Sequence, residues 1–177
     1  MNDKINTYTL SIYTENNIGL LNRISAIFLK RHINIESLTT SQSEIDNIFR
    51  FVIVVSVLES KIKRKIKQIE KQIEVIAAFY HTDKETIFLE TGLYKVKSKS
   101  LFDEKHIQKI IKDSQANIVT VSPNYFVIEK TGWREETEKL YNSLEPYGLL
   151  QFVRSGRISV SKEPMDISNI LGLNTEK

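Results

Sequence analysis

Residues 15–22, ENNIGLLN, form the stretch whose residue types and spacing best suit recognition of a small ligand. The side-chain amide of Asn16 can donate to a carboxylate and accept from an ammonium group. Gly19 allows a ligand close to the main chain. Leu20, Ile24, Ile27 and Phe28 then recur at helical spacing. The first N–H groups of that helix lack intrahelical partners, which makes them a receptor for a small carboxylate. Asn34, beyond the helix, supplies a further amide. The turn admits two roles: a tight strand-to-helix connection, or a holder for an amino acid built from Asn16, Gly19 and Asn34.

Catalytic chemistry is not legible elsewhere. His32, His81 and His106 lack the spacing of metal ligands, and the chain has no cysteine. No Gly-x-Ser-x-Gly elbow, P-loop or Gly-x-Gly-x-x-Gly motif occurs. Glu135 and Glu136 suit a solvated first helical turn, and Trp133 before them suits a packing anchor. Arg154-Ser155-Gly156-Arg157 fits either an anion site or a turn with surface arginines.

The elements that must position the turn follow from hydrophobic period. Tyr8, Leu10 and Ile12 alternate with Thr9 and Ser11, the pattern of a half-buried strand. An extended segment restarts at Asn34 and runs through Ile35 and Leu38, and 41–47 reads as a hairpin loop. Residues 49–57 are apolar on much of both faces, which predicts a strand inside the sheet. Ile62, Ile66, Ile69 and Ile73 predict a helix over about 59–72, with the lysines of KIKRKIKQIEK on a solvated outer face. Val75, Ala77 and Phe79 give a fourth strand, so the order is βαββαβ, a ferredoxin-like arrangement. Residues 1–6 read as a lead-in and 81–85 as a linker. A second set of elements repeats that order, with Ile107, Ile110 and Ile111 inward on one helix and Leu140, Tyr141 and Leu144 on another. The expected organisation is α+β: a first domain over 1–82, a second α+β domain over 86–163, and a tail over 164–177.

The 177 residues are 41% hydrophobic and 27% charged, which is ordinary for a globular protein. A net charge of +3, from 25 basic and 22 acidic residues, does not point to nucleic acid. The absence of an apolar leader or spanning run predicts a cytoplasmic, non-membrane protein.

ENNIGLLNRISAIFLKRHINIESLT resembles the opening of the regulatory (small) subunits of acetolactate synthase, which are ACT-domain proteins. The shared features are an acidic-Asn-x-x-Gly-x-Leu-x-Arg turn and the run Asn34-Ile35-Glu36-Ser37-Leu38. His32 departs from the family pattern by standing where a glycine closes the helix. NIVTVSP and EKTGWREETEKLYNSLEPYGLLQFVRSGRISVSK resemble the C-terminal part of the same family, so the likeness spans roughly 7–162. The resemblance implies two ferredoxin-like domains, the first an ACT domain, and a non-catalytic role in valine, leucine and isoleucine biosynthesis. It implies activation of a separate catalytic subunit and feedback inhibition by a branched-chain amino acid, most often valine. Effector contacts carried over residue by residue are Asn16, Gly19, Leu20, Leu21, Asn34 and Ile35, in a seam between two paired ACT domains. No cofactor or metal falls on this chain; thiamine diphosphate, magnesium and FAD fall on the catalytic partner. The alternative is a free-standing ACT-type sensor that controls transcription or another enzyme.

Overall fold

The computed structural model describes residues 4–99 and 105–172. The chain divides into two compact units, 1–88 with 157–177, and 89–156. In the first unit β1 (Ile5–Glu15), α1 (Leu20–Leu29), β2 (Ser37–Gln42), β3 (Ile48–Leu58), α2 (Glu59–Ile69) and β4 (Val75–Thr82) follow one another. Its antiparallel sheet has the order β2-β3-β1-β4. This is the predicted βαββαβ order, and β3 is an inner strand as its two apolar faces require.

One face of the sheet carries the core. Leu10 lies opposite Ile53 on one side and Tyr80 on the other, and Ile12 opposite Phe51 and Ala78. Ile24, Ile27 and Phe28 of α1 and Ile62, Ile66 and Ile69 of α2 pack against these residues. Each such side chain contributes about 1.5–3 kcal/mol when removed from water. The expected register ends at Ile69: Ile73 is 96% exposed, because α2 stops and the chain turns through Gln72 into β4. β2 starts at Ser37 rather than at Asn34, and it reaches Gln42, inside the expected hairpin loop. The expected lead-in is partly strand from Ile5, while residues 1–3 lie outside the described residues. The expected linker at 81–85 is a tight turn. There the Thr82 N–H and Oγ1–H both donate to the Glu85 carboxylate at 2.7 Å, which lowers the Glu85 pKa.

The second unit repeats the plan with β5 (Thr86–Lys97, whose first residues belong to the first unit), α3 (Lys105–Asp113), β6 (Asn117–Val121), β7 (Tyr125–Gly132), α4 (Arg134–Leu144) and β8 (Leu149–Arg154). Its strand order is β6-β7-β5-β8. The core joins Tyr94, Val96, Phe126 and Ile128 to Ile107, Ile111, Leu140 and Leu144. Gly92 makes room for the Tyr94 ring: a Cβ there would fall 2.7 Å from the Tyr94 hydroxyl. That hydroxyl donates to the Thr137 carbonyl at 2.7 Å, and burial pushes its pKa up to about 12. Trp133 is 58% exposed and so is no packing anchor; its N–H donates to Glu136 Oε2 at 2.7 Å and closes the start of α4.

Beyond Gly156 the chain groups with the first unit, although the sequence expectation assigned it to the second domain through 163. The reason lies in Arg157. Its N–H donates to Ser37 Oγ at 2.9 Å, and its Nη1 donates to Thr9 Oγ1 at 2.9 Å and Asp83 Oδ1 at 2.6 Å. The guanidinium also lies 3.7 Å from the Phe88 ring centroid. β9 (Ile158–Ser161) follows and pairs with β5. Arg50 adds a bond of 2.5 Å from Nη2 to the Ser159 carbonyl. Thr9 and Ser11 alternate with the core residues of β1, so this segment lies on the sheet face opposite the helices. A short α5 (Ile167–Ile170) is capped by Asp166, which accepts from the Asn169 N–H at 3.1 Å. Residues 173–177 of the expected tail lie outside the described residues.

Candidate functional site

The β1–α1 turn is built by its own short bonds. The Asn17 N–H donates to the Glu15 carbonyl at 3.1 Å, and its side chain donates to Glu15 Oε2 at 3.2 Å. The Leu20 N–H reaches the Asn17 carbonyl at 3.4 Å. Gly19 stands at the N-cap with φ 82° and ψ −1°, the left-handed conformation that glycine adopts without steric cost. Helices are usually opened there by a serine, threonine or aspartate whose oxygen accepts from the first turn. Among the described residues no side chain does so, and the first turn carries no acid. The N-terminus of α1 therefore presents unmet donors and the positive end of the helix dipole. A Cβ placed on Gly19 would have no heavy atom within 4 Å, so the space over the turn is open.

The predicted site residues do not all serve alike. Asn16 and Asn34 are exposed, and among the described residues neither side chain has a hydrogen-bond partner. Leu20 is buried in the core, so only its main chain faces the turn. Leu21 is 42% exposed and Ile18 fully so. Ile35 is half-buried against the core.

Asn34 lies at the far end of α1. The helix closes with the Ile33 N–H on the Phe28 carbonyl (3.1 Å) and the His32 N–H on the Leu29 carbonyl (3.0 Å). These are the two bonds of a Schellman motif, with His32 left-handed at φ 53°. The imidazole thus occupies the glycine position without breaking the cap. Ten helical residues separate the two ends by about 15 Å. One chain therefore does not bring Asn34 to Gly19, and a single ligand can touch both only where a second copy supplies one of them.

The arginines of 154–157 do not form an anion site. Arg154 is held between Glu90 (3.5 Å) and Glu138 (2.5 Å), and Arg157 is spent on Thr9, Asp83 and Phe88. Nothing in the local spacing of that segment signals these distant partners. Among the described residues no three His, Cys, Asp or Glu side chains come together as metal ligands, and no helix is long and apolar enough to cross a membrane.

Comparison with known proteins bears on both units. The family model described as "AHAS small subunit-like ACT domain" matches residues 10–77, and that described as "Small subunit of acetolactate synthase" matches residues 89–163. The chain is 34% identical over 161 residues to the acetolactate synthase small subunit of Mycobacterium bovis, covering 91% of this chain and 95% of that one. It is 33% identical over 154 residues to the Bacillus subtilis acetolactate synthase small subunit, covering 86% and 89%. The crystal structure of the small subunit from Thermotoga maritima superposes with a TM-score of 0.81 at 25% identity, over 91% of this chain and all of the other.

Proposed function

This chain belongs to the acetolactate synthase small-subunit family, and from that premise we propose that it activates a separate catalytic subunit and carries feedback inhibition by a branched-chain amino acid, valine first. The observation that supports the sensing role is the uncapped, open N-terminus of α1 at Gly19. In this reading the N–H groups around Gly19 to Leu21 receive the effector carboxylate. Asn16 and Asn34 hold its backbone, and the apolar surface of Leu21 and Ile35 faces its side chain. A charge at a helix terminus contributes only about 0.3–2 kcal/mol. The amide contacts and side-chain burial must supply the rest.

The distance of about 15 Å between the ends of α1 supports a paired assembly. The link from β1 to β2 passes over β3, so α1 lies on the β2 side of the sheet, where β2 is an edge with unpaired backbone groups. Two copies joined there by a two-fold axis would run their α1 helices antiparallel. The Gly19 end of one would then meet the Asn34 end of the other, giving two equal effector sites in the seam of a homodimer. The thiamine diphosphate, magnesium and FAD of the synthase belong to the catalytic partner. Inhibition then requires that effector bind an inhibitory arrangement of the complex more tightly than the active one.

Titration calorimetry of the purified chain with valine, leucine and isoleucine tests the sensing role, beside sedimentation to fix the oligomeric state. Heat of binding with one site per chain in a dimer is expected. A chain that stays monomeric and takes up none of the three amino acids would overturn it.

A further inference from the structure

The segment KIKRKIKQIEK does not simply face water. With Ile62, Ile66 and Ile69 in the core, Lys61, Arg64, Lys65 and Gln68 share another face of α2 at the i, i+3, i+4, i+7 spacing. That face meets the closing turn of α1. Between them lies a concavity of about 450 Å³ lined by the cations Lys30, Arg31, Lys61, Arg64 and Lys65, with His32 beside them. Among the described residues, no carboxylate lines it.

The basin holds concentrated, uncompensated charge. Among the described residues, Lys30, Arg31, Lys61 and Arg64 form no ion pair. An acid is available on the same helix but serves elsewhere: Glu59 pairs with Lys63 at 2.6 Å, and Lys63 does not line the basin. Lys65 is buried and fixed, its Nζ donating to the Ile27 carbonyl at 3.0 Å and to Gln68 Oε1 at 2.9 Å. Burial, and to a lesser degree the charge of Arg31, lower its pKa. Like charges three and four residues apart oppose each other on a helix. A bound anion of several charges would relieve that opposition.

We propose that this basin binds a small polyanion carrying two or more phosphate groups, gripped by Arg31, Arg64, Lys30 and Lys61. Arginine forks and lysine ammonium groups without competing carboxylates match phosphate oxygens. The volume is that of a small-molecule site. A single carboxylate, such as the effector of the α1 N-terminus, would leave most of these cations unpaired. The basin adjoins the Asn34 end of α1, but its lining includes none of the proposed effector residues Asn16, Gly19, Leu20, Leu21, Asn34 and Ile35.

Calorimetry of the full chain against orthophosphate, pyrophosphate, inorganic triphosphate, a sugar bisphosphate and sulfate tests the proposal. Affinity is expected to rise with phosphate number and to fall with added salt. The sugar bisphosphate separates a free oligophosphate from a phosphorylated metabolite as the preferred form. Arg64→Gln and Lys63→Gln remove one charge each from the same helix, and both side chains are exposed, so circular dichroism should show both variants folded. Arg64→Gln should weaken triphosphate binding about tenfold or more, and Lys63→Gln by less than about twofold. Equal binding of sulfate and triphosphate, or equal losses in the two variants, would mean diffuse attraction and overturn the proposal. So would a chain that ignores triphosphate while Arg64→Gln weakens its hold on the catalytic subunit; the face would then dock an acidic protein surface.

Discussion

Gly19→Asp puts a carboxylate where the proposed effector brings its own. The built Cβ meets no heavy atom within 4 Å, so the substitution adds no clash. The left-handed backbone costs a non-glycine residue about 1–2 kcal/mol, and aspartate tolerates that region better than most. Part of this is returned, because an acid at a helix N-terminus gains about 0.3–1 kcal/mol. The fold should therefore survive with a small loss of melting temperature. Binding should not. Two carboxylates about 4 Å apart repel by about 1 kcal/mol in water and about 4 kcal/mol at an effective dielectric of 20. At tenfold per 1.4 kcal/mol, valine affinity should fall between about fivefold and several hundredfold. Gly19→Ala carries the same backbone strain without the charge and isolates the electrostatic part. The assay is valine titration by calorimetry, with acetolactate formation by the reconstituted complex across a valine series. Activation without valine should persist in both variants. Unchanged valine sensitivity in Gly19→Asp would remove the turn from the effector site. Equal losses in Gly19→Asp and Gly19→Ala would show that backbone strain rather than charge was responsible.

Three further outcomes follow from named contacts. Arg157→Ala removes bonds to Thr9 and Asp83 and the contact with Phe88, and should cost about 2 kcal/mol in urea unfolding and make 157–172 more sensitive to limited proteolysis. His32→Gly relieves a left-handed histidine at a helix end, and the relief exceeds the entropy lost to a more flexible unfolded chain. Thermal unfolding should show a gain of about 0.5–1 kcal/mol. The Tyr94 pKa is raised from 10 to about 12, so the folded state keeps a proton that the unfolded chain has lost in that interval. This contribution is fully present below pH 10 and is lost as the pH rises toward 12, at about 1.4 kcal/mol per unit. Tyr94→Phe should flatten the fall of stability between pH 10 and 12, while costing about 0.5–1.5 kcal/mol at neutral pH through the lost hydrogen bond to the Thr137 carbonyl; urea unfolding across pH 7–12 measures both.

Period and punctuation along the chain determined a great deal here. Alternation in 8–12, the two-sided apolar run at 49–57 and the isoleucine spacing of α2 are each local consequences of which faces must leave water, so they specified the βαββαβ order and most of the core. Gly19 and the substitution of histidine for glycine at 32 were likewise legible, because backbone conformation at a turn is set by the residue that occupies it. What the tertiary structure alone decided involves partners remote in sequence. Arg157 finds Thr9 and Asp83 across some 148 and 74 residues, and these bonds return the chain to its first unit. Lys61, Arg64 and Lys65 acquire meaning only when α2 is laid beside the end of α1, which turns a stretch that reads as solvated into a walled cationic basin. The separation of Asn16 from Asn34 also comes from the straightness of the helix between them, a distance that no local pattern encodes.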